Sequence, residues 1–314
     1  MDKQDKFLWC ESYRPRTVSD CILPPQLKDS FQTFVDDMKV PNMILSGPAG
    51  TGKTSVAKAM LEEIGSDYIV INGSMNGNID TLRTTIQQFA STVSFGGGRK
   101  YVILDEADYL SNLTQASLRN FMEEYSENCG FILTCNYKNR IIDPLHSRCS
   151  VIEFKFDKSD IQDLAVRVMQ RVSFILKNES IEYDPKAVAL VVRRHMPDWR
   201  RIINEVQRYS ATGKIDMGIA GNDGQEGFQQ LVDFMKSKNY TGVRTWVGEQ
   251  VFDDSANLFR AFYDHASNLF TASSIPLVVV TLAKYQQFAT EVADQEINLA
   301  ACLAELMIEA EFNE

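Results

Sequence analysis

The chain has 314 residues, 44% of them hydrophobic, with a formal net charge of −10, which leaves room for two or three domains with real cores. Six cysteines without a C-x-x-C pair and only three histidines argue against zinc, and scattered free thiols suit a reducing cytoplasm. "IPLVVVTLA" (275–283), the longest apolar run, is far short of a membrane span, and Phe7 and Leu8 are flanked by charge rather than opening a signal segment.

The charge is unevenly spread. Residues 1–155 carry 16 Lys+Arg and 19 Asp+Glu, residues 156–215 carry 11 and 8, and residues 216–314 carry 5 and 15. The acidity is concentrated in the last third, so a basic surface for DNA stays open on the first two thirds.

From Met43 to Phe154 short apolar runs alternate with helical patterns. "MILS" (43–46), "YIVIN" (68–72), "YVILDE" (101–106), "FILTCN" (131–136) and "VIEF" (151–154) read as five buried strands. Residues 53–64, 80–93 and 114–125 between them have helical length and spacing. That alternation predicts an α/β fold, a parallel sheet with helices on both faces. From about 157 the strands stop. "DIQDLAVRVMQRVSFILKN", "DPKAVALVVRRH" and "DWRRIINEVQRYS" read as helices, each opened by an aspartate N-cap. "TGKIDMGIAGNDGQEG" (212–227), with five glycines and no periodicity, reads as a linker. Beyond it, roughly 226–238, 255–270, 273–292 and 294–311 read as a separate helical bundle.

"GPAGTGKTS" (47–55) follows the first strand and opens a helix, the context that G-x-x-x-x-G-K-[ST] requires. Gly47, Pro48, Gly50, Thr51, Gly52 and Ser55 belong to a loop whose N–H groups can close around phosphates, at the positive end of the next helix. Lys53 supplies a point charge, and the Thr54 hydroxyl can ligate Mg²⁺. "YVILDEAD" ends a buried strand with Asp105, the expected Mg²⁺ partner, and Glu106, placed to orient or deprotonate an attacking water. The letters DEAD do not make a helicase here: the Ser-Ala-Thr and H-R-x-G-R-type motifs of a second sheet domain are missing. Asn136, closing "FILTCN", is placed to bond a γ-phosphate or the water, and by itself reads equally as a turn-former. Arg148, in "DPLHSRCSV", reads by itself as a surface arginine.

Six stretches in order resemble the AAA+ ATPases, and within them the clamp-loader subunits of the replication-factor-C and T-even phage type. They are "ESYRPRTVSDCI", the phosphate loop, "LDEAD", "LRNFMEEYSENC", "CNYKNRIIDPLHSRC" and "MPDWRRIINEVQRYS". The resemblance implies an AAA+ module over 1–156, a helical lid over 157–221 and an all-α collar for oligomerisation over 222–314. It implies ATP and Mg²⁺ as cofactors, with Asn136 and Arg200 as the two sensors of the nucleotide. Arg200 read alone is a helix-surface arginine beside Arg193, Arg194 and Arg201. Tyr13, Arg14, Pro15 and Ile22 are implied to lie near the adenine, and Arg148 to be an arginine finger acting on ATP bound by a neighbouring subunit. Arg83 and Thr84 match a position that touches the DNA backbone, and Gln115 one that couples neighbouring sites to DNA. Phe89, Val93 and Phe95 read either as a patch for a sliding clamp or as core.

The implied function is an ATP-dependent clamp-loader ATPase that opens a sliding clamp and loads it onto primer–template DNA in phage replication. Its implied partners are copies of itself within a pentamer, a divergent small subunit, the clamp and DNA, with no membrane. The alternatives are another AAA+ DNA motor or helicase loader, which should carry an extra DNA-binding module, and a non-catalytic scaffold subunit. Intact Lys53, Thr54, Asp105, Glu106 and Arg148 speak against the scaffold.

Overall fold

The computed structural model describes residues 7–74, 79–92, 98–211, 213–216, 224–249, 255–289, 292 and 294–313. The chain divides into two compact units, Met1–Gly221 and Asn222–Glu314. At the centre of the first lie five strands: β1 Met43–Ser46, β2 Tyr68–Asn72, β3 Lys100–Asp105, β4 Cys129–Cys135 and β5 Ser150–Glu153. All pair in parallel in the order β2-β3-β4-β1-β5. Each is within two residues of its predicted start.

Successive side chains of a strand point to opposite faces, so the inner strands β1, β3 and β4 each feed two cores. Ile44, Val102, Leu104, Phe131 and Leu133 enter one. Met43, Leu45, Tyr101, Ile103 and Ile132 enter the other. The first core is covered by α4 (Ile79–Ser91) through Leu82 and Ile86, and by α5 (Asn112–Glu124) through Leu118, Phe121 and Met122. The second is covered by α2 (Pro25–Asp36) through Phe31 and Val35, and by α3 (Lys53–Glu63) through Val56 and Met60. Each fully buried side chain of this size contributes about 1.5–3 kcal/mol against the entropy of ordering the chain. Of two four-residue helices, α6 (Asp143–His146) adds Leu145 to the first core, while α1 (Trp9–Ser12) packs through Trp9 on the helices that follow β5.

The segment after β5 is helical, as predicted: α7 (Lys158–Asn178), α8 (Pro185–His195) and α9 (Trp199–Ser210). Asp184 and Asp198 cap α8 and α9 by accepting from the backbone N–H of Lys186 and Arg201. The expectation for α7 is corrected. Its N-cap is Asp157, and Asp160 lies three residues in, accepting from the Asp157 N–H at 3.1 Å. A second correction is a parallel pair of two-residue strands, β6 (Glu182–Tyr183) and β7 (Lys214–Ile215), where no strand was expected.

In the second unit the helices are Gly224–Lys236, Tyr240–Glu249, Ser255–Asp264, Ala266–Leu269, Ile275–Phe288 and Gln295–Glu309. They share a core of Leu231, Phe259, Phe262, Val278, Leu303 and neighbours. Tyr240–Glu249 was not expected, since Gly242, Gly248 and the four β-branched residues Thr241, Val243, Thr245 and Val247 weaken its helical signal. Burial of Val243 and Val247, one turn apart, favours the helix nonetheless. Gly224 begins a helix, so the predicted linker ends earlier than residue 227. No described helix is long and apolar enough to cross a membrane.

Candidate nucleotide-binding site

The parallel register brings the C-terminal ends of β1, β3 and β4 to one edge. Leu104 pairs with Leu133, Ser46 pairs with Cys135, and the Gly47 N–H donates to the Cys135 carbonyl at 3.2 Å. Ligands of open α/β sheets bind outside this edge. A cleft of about 1080 Å³, open mouth included, lies there.

The loop after β1 wraps one wall. Gly50 (φ 73°) and Gly52 (φ 92°) lie in the left-handed region, and a Cβ on Gly50 would fall 1.7 Å from Asp198 Oδ1. Glycine is needed there for conformation and for space. The lid meets the loop directly, for the Trp199 N–H donates to the Gly50 carbonyl at 3.0 Å.

Lys53 is buried, and its Nζ donates to the Gly47 carbonyl (2.8 Å), the Pro48 carbonyl (2.7 Å) and Asn136 Oδ1 (3.1 Å). All three ammonium donors are thereby used. Burial lowers its pKa from the ordinary lysine value, against the pull of Asp105 and Asp108. Asp105 Oδ1 accepts from the Thr54 hydroxyl and from the Thr134 hydroxyl, both at 2.6 Å. Thr134 Oγ1 in turn accepts from the Glu106 N–H at 3.1 Å. The buried Asp108 fixes the start of the next loop, since its Oδ2 accepts from the N–H groups of Asn136 (3.1 Å) and Tyr137 (3.2 Å).

Of the predicted residues, Tyr13, Arg14, Pro15, Ile22, Gly50, Gly52, Lys53, Thr54, Ser55, Asp105, Glu106, Asn136 and Arg200 all line the cleft. Gly47, Pro48 and Thr51 do not. The first two turn their carbonyls to Lys53, and Thr51 is buried with its hydroxyl on the Pro48 carbonyl at 2.8 Å. They shape the loop instead. Tyr13 donates to Glu179 Oε1 at 2.5 Å, and burial together with that bond pushes its pKa up to about 12. Arg14 pairs with Glu11.

Arg148 is not brought to this cleft. Its Nε donates to Glu123 Oε1 at 3.0 Å, Nη2 bonds the same oxygen, and Nη1 donates to the Pro144 carbonyl at 3.0 Å. The Arg148 bond holds the Glu123 carboxyl below its ordinary pKa. Arg83 and Thr84 are exposed on α4. Gln115 is wholly buried, donating to the Leu110 and Arg140 carbonyls and accepting from the Ile142 N–H, a tie between α5 and the chain before α6. Phe89 is half-buried against the first core, whereas Val93 and Phe95 lie outside the described residues. Sequence reasoning missed Thr134, Asp108 and Trp199. Thr134 had a signal, being a hydroxyl in an otherwise apolar strand.

Residues 43–156 match the model of the ATPase family associated with various cellular activities (AAA). Residues 160–221 match that of the sliding-clamp-loader large subunit, AAA+ ATPase lid domain. The chain is 34% identical over 310 residues to the sliding-clamp-loader large subunit of Enterobacteria phage T4, covering 96% of each. It is 38% identical over 253 residues to the same subunit of Escherichia phage RB69, covering 78% of each. It is 31% identical over 330 residues to the replication factor C small subunit of Sulfurisphaera tokodaii, covering 99% of this chain and 98% of that one. Among solved structures it resembles the Thermotoga maritima RuvB Holliday junction branch migration motor in fold, with TM-score 0.55, 15% identity, and 82% and 93% of the two chains covered.

Proposed function

The chain belongs to the sliding-clamp-loader family of AAA ATPases, and on that premise we propose how its residues divide the work. It is an ATPase that serves clamp loading in DNA replication, binding nucleotide and working in an oligomeric complex with a clamp and DNA. The observation that carries the finer reading is the bonded chain Thr54–Asp105–Thr134–Glu106 beside the Lys53–Asn136 pair, in one cleft.

The residues fit a magnesium–triphosphate. Among the described residues no group of three or more His, Cys, Asp or Glu side chains could hold a metal. That suits Mg²⁺, which takes one or two protein oxygens together with substrate phosphates. Thr54 and Asp105 would hold the ion, whose charge offsets that of the β- and γ-phosphate oxygens. Lys53 exchanges its carbonyl partners for phosphate oxygens, Asn136 beside it reads the γ-phosphate, and Arg200 reaches it from the lid. Glu106 accepts the proton of the attacking water. Tyr13, Arg14, Pro15 and Ile22 flank the adenine, and Arg83 with Thr84 meets DNA phosphate. Arg148 completes the site of a neighbouring subunit.

In this reading residues 1–156 are the nucleotide-binding domain, 157–221 the lid and 222–314 the collar that ties subunits together. The complex is a pentamer with a divergent small subunit, acting on primer–template DNA in the host cytoplasm. The test is the ATPase rate of the assembled complex alone, with primer–template DNA, with clamp, and with both. Turnover should be highest with both. A rate indifferent to either would count against the coupling.

A further inference from the structure

Trp199 begins α9, and sequence reasoning passed over it in favour of its neighbour Arg200. The residue is 8% exposed, and its Nε1 is a buried donor with no hydrogen-bond partner. Such a group forfeits its hydration without return, so an unpaired indole N–H in a binding cleft needs an explanation. The ring has little freedom to find a partner by turning. Its own backbone N–H is tied to the Gly50 carbonyl at 3.0 Å, and its face stacks on Phe156 at 6.1 Å between centroids and 29° between planes. Its Cδ1–Nε1 edge faces the phosphate loop. A Cβ added to Gly52 would lie 3.7 Å from Cδ1 and 3.9 Å from Nε1. Gly52 is the N-cap of α3, directly before Lys53, and Trp199 lines the same cleft as Lys53 and Thr54.

We infer that the indole N–H of Trp199 is a ligand of the bound nucleotide, donating to an oxygen of the diphosphate that ADP and ATP share. The inference rests on the cleft being the nucleotide site. It assigns Trp199 to binding, as distinct from the γ-phosphate role of Arg200. The commitment to the diphosphate follows from Gly52, because the loop amides at the start of α3 and Lys53 surround the β-phosphate. A rigid donor on the lid would then hold lid and loop together around nucleotide before and after hydrolysis.

Trp199→Phe keeps an aromatic ring for Phe156 and removes the N–H. Calorimetry on the full chain with Mg²⁺ and either ADP or ATP should show affinity weakened roughly ten- to a hundredfold, by a similar factor for both, as for a hydrogen bond to a charged group. The nucleotide-free variant should melt no earlier than expected for trimming an indole to a phenyl ring, since no bond is lost there. Affinity for ADP within twofold of the wild type would overturn the assignment. An independent measurement does not depend on how the variant folds. The chain has three tryptophans, so the wild type gives three indole N–H signals, and Trp9→Phe and Trp246→Phe identify the other two. On adding ADP the Trp199 signal should move downfield and exchange more slowly with water, and a signal that does neither sinks the proposal. If the wild type binds no ADP, the reading of the cleft falls. If it binds and the variant matches it, only the role of Trp199 falls.

Discussion

Glu106 is held at φ 56° and ψ 45°, a left-handed conformation that a side-chain-bearing residue adopts at a cost of about 1–3 kcal/mol. Two neighbours maintain it. Thr134 accepts the Glu106 N–H, and Gly73 passes so close that a Cβ there would lie 2.6 Å from the Glu106 carbonyl. The strain aims one carboxylate at the cleft while Asp105 keeps its place beside Thr54. Glu106→Gln should therefore leave ATP affinity and Mg²⁺ dependence close to wild type, because the loop and Asp105 are untouched. Turnover should fall by about 10²–10⁴, the usual worth of a positioned general base. Calorimetric binding alongside steady-state phosphate release separates the two, and near-normal turnover would remove Glu106 from the role. Asp105 and Glu106 were legible in sequence because strand, carboxylates and phosphate loop are each local patterns. Thr134, Asp108 and Gly73 were not. Thr134 and Gly73 reach the site through β3–β4 and β2–β3 pairing, and Asp108, though local, acts on the distant N–H groups of Asn136 and Tyr137.

The same contrast holds between elements. Strands of four to seven residues flanked by helical patterns announced themselves, as did the three lid helices and the aspartate caps of α8 and α9, whereas the cap of α7 lies three residues earlier than its pattern suggested. The β6–β7 pair has two residues in each strand, too few for alternation to register. The helix Tyr240–Glu249 exists because Val243 and Val247 find a core, a tertiary effect that intrinsic propensity opposes. α4 carries the element-level prediction for DNA. Its Leu82, Ile86 and Ala90 are buried in the sheet core, which leaves Arg83 on the exposed side. If that side meets phosphate, Arg83→Ala should weaken primer–template binding by a similar factor for every sequence, since phosphate contacts position without reading bases. The slope of log affinity against log salt should flatten by about 1 for each phosphate that the arginine no longer neutralises, summed over the copies in a complex. Fluorescence anisotropy across a salt series measures both, and an unchanged slope with unchanged affinity would remove Arg83 from the DNA surface.

At the scale of the whole molecule, every residue that lines the cleft precedes the division at Gly221, and the second unit is helical, with exposed side chains that include Val280, Ile297 and Ile308. A chain ending at Gly221 should still bind ATP but lose stable assembly, and light scattering that showed the full-length oligomer would clear the collar of that task. Assembly matters most for Arg148. All of its guanidinium nitrogens are engaged on its own chain, with Glu123, Ser147 and the Pro144 carbonyl, away from its own nucleotide cleft. Exposed ion pairs of this kind are worth little in water, so the guanidinium can leave Glu123 for a phosphate brought by a neighbour. Arg148→Ala should then keep nucleotide binding and lose roughly 10³–10⁵ in rate, the usual cost of a missing finger. Pure Glu106→Gln should be inactive for a different reason. A co-assembled mixture distinguishes finger action in trans from action in cis. An Arg148→Ala subunit keeps a working Glu106, and a Glu106→Gln neighbour can lend it Arg148, so some interfaces become whole and part of the activity returns. In cis every subunit lacks one essential group whatever stands beside it, and nothing returns. Native mass spectrometry must show that both variants share complexes. Mixed complexes no more active than either parent would count against the trans finger.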